Sequence, residues 1–195
     1  MNDIYAPCPC GSGKKFKFCC YEIQKKGGVI PATSECCKFP IYECKALKNW
    51  KELGISPVYV SREITKESFV FISYLVDFWC LGVKDTSLKF GISKTDLKHI
   101  YIRSDDLETI SYQDARSLIL GALDFAKEIN IAPHLTWSGI ASSFIEAHLA
   151  YDKKFSFGQD GKPYYFSGPH DYELYNVDEI ISKVANANGH YTVHI

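Results

Sequence analysis

The pattern of apolar residues predicts β-strands in the middle of the chain. The most apolar stretch, residues 68–81, is rich in β-branched and aromatic side chains, which predicts a long central strand. Residues 58–62, which follow Pro57, predict a second strand, and we expect it to pair with the first over residues 58–64. Because a continuous apolar run does not settle the period, a buried helix is the alternative for residues 68–81.

Spacings of three and four between apolar residues predict helices elsewhere, each with a start or stop signal. The predicted helices are residues 45–53, ended by Gly54, residues 112–130 after the N-cap Ser111, a helix that begins at Ser138 and buries Ile140, Ala141, Phe144, Ile145 and Leu149, and a helix that begins at Asn176.

Short aromatic segments predict further strands near the C-terminus. Residues 155–157 and 164–166 flank a turn at Asp160-Gly161, which is typical of a hairpin, and residues 191–195 predict a short strand. Residues 86–110 are mixed and mostly polar. Since strands and helices come in blocks rather than in strict alternation, the pattern predicts an α+β fold with a mainly antiparallel sheet.

The N-terminal twenty residues differ from the rest because they hold four cysteines within thirteen positions. These are Cys8, Cys10, Cys19 and Cys20. Thiolates bind Zn²⁺ strongly, and a structural zinc site uses four ligands in a tetrahedron. Gly11-Ser12-Gly13 supplies a permissive backbone for turning the chain back. The pattern predicts a small zinc-binding module with a structural role, because four thiolates leave no coordination position for water.

The same stretch resembles a known motif. Residues 7–17 (P-C-P-C-G-S-G-K-K-F-K), followed by Cys19-Cys20, resemble the SEC-C motif of the C-terminal tail of the SecA preprotein translocase ATPase. In that family the last ligand is a Cys or a His, so the resemblance implies Cys20 as the fourth ligand and Zn²⁺ as the cofactor. It also implies protein partners, ribosomes or lipid headgroups. Residues 75–85 (L-V-D-F-W-C-L-G-V-K-D) are similar to a stretch in bacterial SEC-C proteins whose C-terminal domain has no assigned function.

Composition divides the chain into a basic and an acidic part. Gly27-Gly28 and Pro31 indicate a linker, so we predict a zinc module at residues 1–25, a linker at 26–40 and an α+β domain at 41–195. Residues 1–51 carry nine lysines and four acidic residues, a net charge of +5, and the remaining residues carry −6. This asymmetry favours an anionic partner that approaches the module only, and the alternative is that the charges are simply solvated.

Lysines of the module are the predicted partner-binding residues, namely Lys14, Lys15, Lys17, Lys25 and Lys26. Of these, Lys14, Lys15 and Lys17 would offset the charge of a zinc tetrathiolate and contact phosphates, while Phe16 and Phe18 would stack on bases or, alternatively, cover the metal. The segment from Gly11 to Lys15 is not a phosphate loop. Cys8 and Lys15 occupy the positions where that loop requires a Gly and a Ser or Thr.

The other cysteines leave a second metal site open. We expect a cytoplasmic protein, because no apolar run reaches the length of a membrane span and Met1-Asn2-Asp3 does not begin a signal peptide. In a reducing compartment clustered cysteines indicate metal sites rather than disulfides. Cys36, Cys37 and Cys44 would need a distant fourth ligand such as Cys80, so buried thiols that bind no metal are the favoured alternative.

Candidate catalytic residues are scattered through the body. They are Asp77, Asp85, His99, Glu146, His148, His170 and Asp171, with Cys80 as a thiol. Asp77 interrupts an apolar stretch, and a buried Asp must be paired or hydrogen-bonded, for which Lys84 and Arg62 are the candidates. Two residues apart on a helix, Glu146 and His148 would point in different directions, and His170-Asp171 is typical of a loop.

Two functions follow from these patterns. The preferred hypothesis is a zinc-binding adaptor whose basic module contacts a protein, a ribosome or another anionic partner, with nucleic acid as a further candidate. The alternative is a hydrolase or nuclease-like effector whose catalytic site lies in the α+β body while the zinc module docks the substrate. A cleft that gathers Asp77, Asp85 and a His would favour this alternative.

Overall fold

A computed structural model describes residues 3–8, 15–18, 21–25, 33–102, 106–137 and 140–193. Five strands form one antiparallel sheet in the order β4-β3-β2-β1-β5. They are β1 (Ile41–Leu47), β2 (Ile55–Thr65), β3 (Ser68–Asp77), β4 (Gly82–Ser93) and β5 (Leu107–Ile110). The α+β class and the mainly antiparallel sheet are therefore confirmed.

Helices lie at the sheet and in the C-terminal part of the chain. They are α1 (Tyr21–Lys25), α2 (Trp50–Leu53), α3 (Lys94–Ile102), α4 (Tyr112–Glu128), α5 (Ile140–Phe144), α6 (Asp171–Leu174) and α7 (Val177–Asn186), with 3-10 helices at Phe16–Phe18, Thr33–Lys38 and Leu135–Trp137. The predicted caps of α4 and α7 are confirmed. Ser111 Oγ accepts the Asp114 N–H at 2.9 Å, and Asn176 Oδ1 accepts the Glu179 N–H at 3.3 Å.

Strand β3 is buried on both faces, which explains its continuous apolar sequence. Ile72 and Tyr74 belong to the main core, which the sheet shares with α4 and α5. Phe69 and Phe71 belong to a second cluster, on which Leu97 of α3 packs. Residues 55–65 pair with 68–77 along their whole length, so the prediction of two paired strands is correct and the alternative of a buried helix is wrong.

A third cluster of buried side chains supports the C-terminal part of the chain. Here α7 packs on a two-stranded sheet of β6 (Tyr164–Phe166) and β7 (His190–Thr192), and Cys80, Leu81 and Tyr165 are buried with it. These two strands are parallel. Among the described residues, no helix is both long and apolar enough to cross a membrane.

The predicted helix at residues 45–53 is wrong in its first half. Residues up to Leu47 continue β1, which is hydrogen-bonded to β2 on one side and to β5 on the other. Its buried Cys44 and Ala46 belong to the main core. Only Trp50–Leu53 is helical, and Gly54 ends that helix with a left-handed φ of 68°, as a C-terminal glycine does.

The predicted hairpin at residues 155–166 is also wrong. A bridge between Gln159 and Lys162 forms the expected turn, but residues 155–157 have no strand structure. Phe155 packs edge-on against Trp50, and Phe157 stacks on Phe78. Tertiary packing of these aromatic rings, rather than strand pairing, therefore holds the segment in place.

The helix expected from Ser138 to Leu149 is shorter than predicted. Ser138 lies outside the described residues, and α5 ends at Phe144. Glu146 then takes a left-handed φ of 54°, and Leu149 is exposed. Residues 86–110, for which no element was predicted, contribute to β4, α3 and β5.

Candidate metal centre and its basic face

Two N-terminal segments lie antiparallel and close a loop. Ile4 O accepts the Lys17 N–H at 2.7 Å, and Ala6 O accepts the Phe16 N–H at 2.8 Å. Pro7 and Lys15 form an antiparallel bridge next to them. Cys8 directly follows this antiparallel base in the sequence, and the residues up to Lys15 connect its two sides.

A small apolar centre lies beside this loop. Cys8 and Phe16 are 5% and 4% exposed. The rings of Phe16 and Tyr21 pack edge to face, with their centroids 5.7 Å apart. Cys8 and Phe16 belong to the same cluster of buried side chains as the sheet and α4. The loop base thus packs continuously with the core of the body.

The segment between the loop and the sheet is partly packed as well. Residues 33–38 form a 3-10 helix that contacts α5, and Cys36 within it is fully buried. The division into residues 1–25, 26–40 and 41–195 stays a prediction.

Of the four predicted zinc ligands, Cys8 is described, whereas Cys10, Cys19 and Cys20 lie outside the described residues. The position of Cys8 is compatible with a metal centre, because Cys8 is buried beside the antiparallel base and Cys19 directly follows the 3-10 turn Phe16–Phe18 in the sequence. Four thiols are the donor set of a structural zinc site. Within the described part of the chain, no group of three or more His, Cys, Asp or Glu side chains could hold a metal ion.

A comparison with protein-family models decides what this segment is. Residues 6–22 match the SEC-C motif. The matched span begins two residues before Cys8 and ends two residues after Cys20, so it contains all four predicted ligands. The resemblance stated for this stretch is confirmed, and the motif is typically associated with zinc. No protein of curated function and no solved structure matches the chain significantly.

A basic aromatic face, which we define as Tyr5, Lys15, Lys17 and Phe18, lies at the SEC-C motif, with Tyr5 one residue before the matched span. Lys17 Nζ donates to Tyr5 Oη at 2.8 Å and lies 4.9 Å from the centroid of that ring and 5.7 Å from that of Phe18. Lys15 Nζ lies 6.0 Å from the Tyr5 centroid. Because Tyr5 is 49% and Phe18 69% exposed, ammonium groups and ring faces are presented to solvent together.

Of the three other lysines predicted to contact a partner, the structure describes one. Lys25 is exposed at the end of α1, and Lys14 and Lys26 lie outside the described residues. Of the two phenylalanines, Phe16 is buried, so only Phe18 is available for stacking. Tyr5 was missed from the sequence, although it is the one aromatic residue before Phe16.

The four cysteines of the body do not come together. Cys36 and Cys44 belong to the main core, and Cys80 belongs to the cluster around α7. Burial raises the pKa of the Cys44 thiol to about 12 and raises that of Cys80 further. Because a metal ligand must be a thiolate, these protonated groups act as small apolar side chains. The arrangement favours buried thiols over a second metal site.

Asp77 is buried and hydrogen-bonded, as predicted, but its donors are backbone N–H groups rather than Lys84 or Arg62. Asp77 Oδ1 accepts the N–H groups of Trp79 and Cys80, both at 2.9 Å, so the turn after β3 compensates the carboxylate. Lys84 instead pairs with Asp171, at 2.9 and 3.1 Å from its two oxygens. The guanidinium of Arg62 donates elsewhere, chiefly to backbone carbonyls.

Asp171 is the centre of a buried polar cluster that the sequence did not predict. Its Oδ2 accepts the Tyr165 hydroxyl at 3.0 Å and the Gly168 N–H at 2.9 Å, in addition to Lys84. Burial opposes ionisation, but the Gly168 N–H and Lys84 outweigh it and lower the pKa of Asp171. Lys84 and Asp171 are 87 residues apart, and no local pattern links them.

The catalytic candidates do not assemble into one site in the described part of the chain. His99, His148 and His170 are exposed, and Asp85 is an exposed residue whose carboxylate accepts the Thr86 N–H. Asp77 lines a pocket with Lys84, but neither Asp85 nor a histidine lines it. Glu146 accepts the Tyr112 hydroxyl at 2.8 Å. The cleft that would favour a hydrolase is therefore not formed by the described residues.

Asp77 gives a testable pH effect. Burial raises its pKa to about 6, against 3.8 in the unfolded chain, so the folded protein holds this proton more tightly. Its contribution to the free energy of unfolding is therefore present below pH 4 and is lost as the pH rises through 6. For a difference of about two pKa units, the free energy of unfolding falls by about 3 kcal/mol. Asp77→Asn keeps the Oδ1 acceptor without the charge. We expect it to match the parent in urea unfolding at pH 4 and to exceed its stability at pH 8.

The control for this effect is Asp85→Asn, which removes an equal charge from an exposed position on β4. Its stability difference from the parent should stay small and constant between pH 4 and pH 8. A constant difference for Asp77→Asn as well would contradict the raised pKa.

Proposed function

We propose that this protein is a zinc-binding interaction protein whose SEC-C motif docks an anionic partner, with a ribonucleoprotein as the favoured class. The observation that supports the proposal is the position of Lys17, whose ammonium lies against Tyr5 and Phe18 on one exposed surface. Lysines meet phosphates, and exposed rings stack on unpaired bases. The basic aromatic face offers both kinds of contact side by side.

Zinc has a structural role in this proposal. Cys8, Cys10, Cys19 and Cys20 would hold the ion, and four thiolates would fill its coordination sphere. The ion would then fix the loop whose base carries Lys15 and, one residue beyond Phe16, Lys17. Chemistry at the metal is not part of the proposed function.

The charge of the body supports docking through the motif. Residues 52–195 carry a net charge of −6, whereas residues 1–51 carry +5. A polyanion is repelled by the first and attracted by the second, so it approaches the N-terminal part. In a cytoplasmic location, which the sequence predicts, ribosomes and other RNA-bearing particles would be within reach.

The face can be tested by charge reversal. We expect the parent to bind a fluorescent single-stranded RNA oligonucleotide with an affinity that falls steeply between low and moderate salt. Lys15→Glu/Lys17→Glu should weaken binding and reduce the salt slope by about 1.4, because each lost phosphate contact on a single strand contributes about 0.7. Fluorescence anisotropy at several salt concentrations measures both quantities.

The matched control is Lys89→Glu/Lys98→Glu, which makes the same charge change at exposed positions on β4 and α3. It should leave the salt slope unchanged. If the partner is instead a protein, the oligonucleotide will not bind. If the protein binds ribosomes or another protein with an affinity that changes neither with salt nor in Lys15→Glu/Lys17→Glu, the basic aromatic face is not the docking surface.

A further inference from the structure

A pocket of about 260 Å³ opens on the body, where the beginning of β2, the turn after β3 and the strand β6 meet. Trp79, Tyr164 and Phe166 form its aromatic walls, and Asp77 and Lys84 line it as charged groups. It shares no lining residue with the SEC-C motif. Neither the zinc module nor the basic aromatic face accounts for it.

The aromatic walls are fixed by backbone contacts. The centroids of the Trp79 and Tyr164 rings are 5.5 Å apart, and the Tyr164 N–H donates to Trp79 O at 3.0 Å. Gly54, with a φ of 68°, lies directly against the Trp79 ring, where a Cβ would come within 2.1 Å of the ring. Any other residue at position 54 would therefore displace the indole.

The charged groups leave one negative charge at the pocket. Lys84 is committed to Asp171 through two hydrogen bonds, so its charge is compensated. Asp77 is 8% exposed and accepts the N–H groups of Trp79 and Cys80, and the nearby charge of Lys84 also favours its ionised form although Lys84 donates its hydrogen bonds to Asp171. With a pKa of about 6 it is ionised at neutral pH. The two carboxylates of Asp77 and Asp171 thus outnumber the single ammonium group of Lys84, which leaves one negative charge.

We propose that this pocket binds a small organic ammonium ion, with Asp77 as its counter-ion and Trp79, Tyr164 and Phe166 as its aromatic cage. Ring faces attract cations, and the attraction grows when water is excluded. The volume lies just below the range of drug-sized ligand sites, which suits a single alkylammonium group. An anion is disfavoured, because Lys84 already pairs with Asp171.

Choline and its uncharged carbon isostere, 3,3-dimethyl-1-butanol, test the proposal by titration calorimetry on the full chain. The two probes have the same shape and differ in charge. We expect choline to bind and the isostere to bind at least about tenfold more weakly, the ratio that about 1.4 kcal/mol gives. Asp77→Asn and Trp79→Leu should each weaken choline binding about tenfold, and Asp85→Asn should not change it.

Each contrary result counts against the pocket as an ammonium site. Equal affinity for choline and the isostere would show a merely apolar cleft. Unchanged choline affinity in Asp77→Asn, which keeps the hydrogen bonds of the turn, would place the cation elsewhere. Absence of binding for both choline and n-butylammonium at millimolar concentration would overturn the proposal outright.

Discussion

Arg62→Leu is expected to destabilise the fold by about 3–5 kcal/mol, because it removes the buried cation of a polar network that includes the Glu146 carboxylate, 3.8 Å from Arg62 Nη2. The Arg62 side chain projects from β2 and is 4% exposed. Leucine fills much of the space but donates no hydrogen bond. The acceptors around it would therefore stay buried and unsatisfied, and each such group costs about 1–3 kcal/mol.

These acceptors come from three separate segments. Arg62 Nη1 donates to the carbonyls of Cys37 and Phe39 at 2.7 and 2.8 Å, and Nη2 donates to Tyr112 Oη and Phe144 O at 2.7 and 3.1 Å. The guanidinium carbon also lies 5.0 and 5.2 Å from the centroids of the Tyr112 and Phe144 rings. One side chain thus joins the segment before β1, the start of α4 and the end of α5 to the sheet.

Urea unfolding at neutral pH measures the effect, and Arg116→Leu is its control. Arg116 also donates to backbone carbonyls, those of Ile145, Glu146, Leu149 and Ala150, but water reaches this site. Because water can replace the lost donor there, we expect less than half the loss seen for Arg62→Leu. Similar losses for both variants, or a loss below about 1 kcal/mol for Arg62→Leu, would contradict the role of burial.

Arg62 also shows why some parts of the fold could be predicted and others could not. The caps at Ser111 and Asn176 and the amphipathic spacing of α4 are local signals, and the structure has them where they were expected. The pairing of β2 with β3 follows from neighbouring apolar runs joined by a short turn. The hydrogen-bond partners of Arg62 are up to 82 residues away, and no spacing in the sequence indicates them.

The wrong assignments have the same physical origin. Residues 45–47 have helical spacing, but two neighbouring strands hold them in the sheet. Residues 155–157 have the alternation of a strand, but Trp50 and Phe78 take up their rings. In both places tertiary contacts override a weak local preference.

The candidate sites divide in the same way. Cysteine spacing is local, so the SEC-C motif could be predicted from residues 7–20. The pocket at Trp79 and Tyr164 could not, since these two side chains are joined only by the fold. Tyr5 belongs to the basic aromatic face for the same reason, because the chain must close before Lys17 reaches it.

Zinc is expected at one ion per chain, and its loss should open the N-terminal loop without unfolding the sheet. Structural zinc in small peptides contributes about 10–16 kcal/mol of apparent binding free energy at pH 7. The seven residues 8–14 (C-P-C-G-S-G-K) include no large apolar side chain with which to replace such a contribution. We therefore expect Cys8→Ala to remove the ion, and native mass measurement with metal quantification gives the stoichiometry.

Hydrogen exchange locates the consequence of metal loss. The N–H groups of Phe16 and Lys17 donate to Ala6 O and Ile4 O at the base of the loop. They should be protected in the zinc-bound protein and exchange freely after chelation or in Cys8→Ala. The amides that join β2 to β3 should stay protected in both, because that pairing is held by the main core.

Cys44→Ala is the matched control, because it removes a buried thiol that lies outside the motif. It should keep the zinc ion and the protection of Phe16 and Lys17. Two zinc ions per chain, one of them lost in Cys44→Ala, would establish the second site that the positions of Cys36, Cys44 and Cys80 disfavour. A parent protein without any zinc would overturn the metal centre, and the basic aromatic face would then be held by its backbone hydrogen bonds and by the packing of Phe16 on Tyr21.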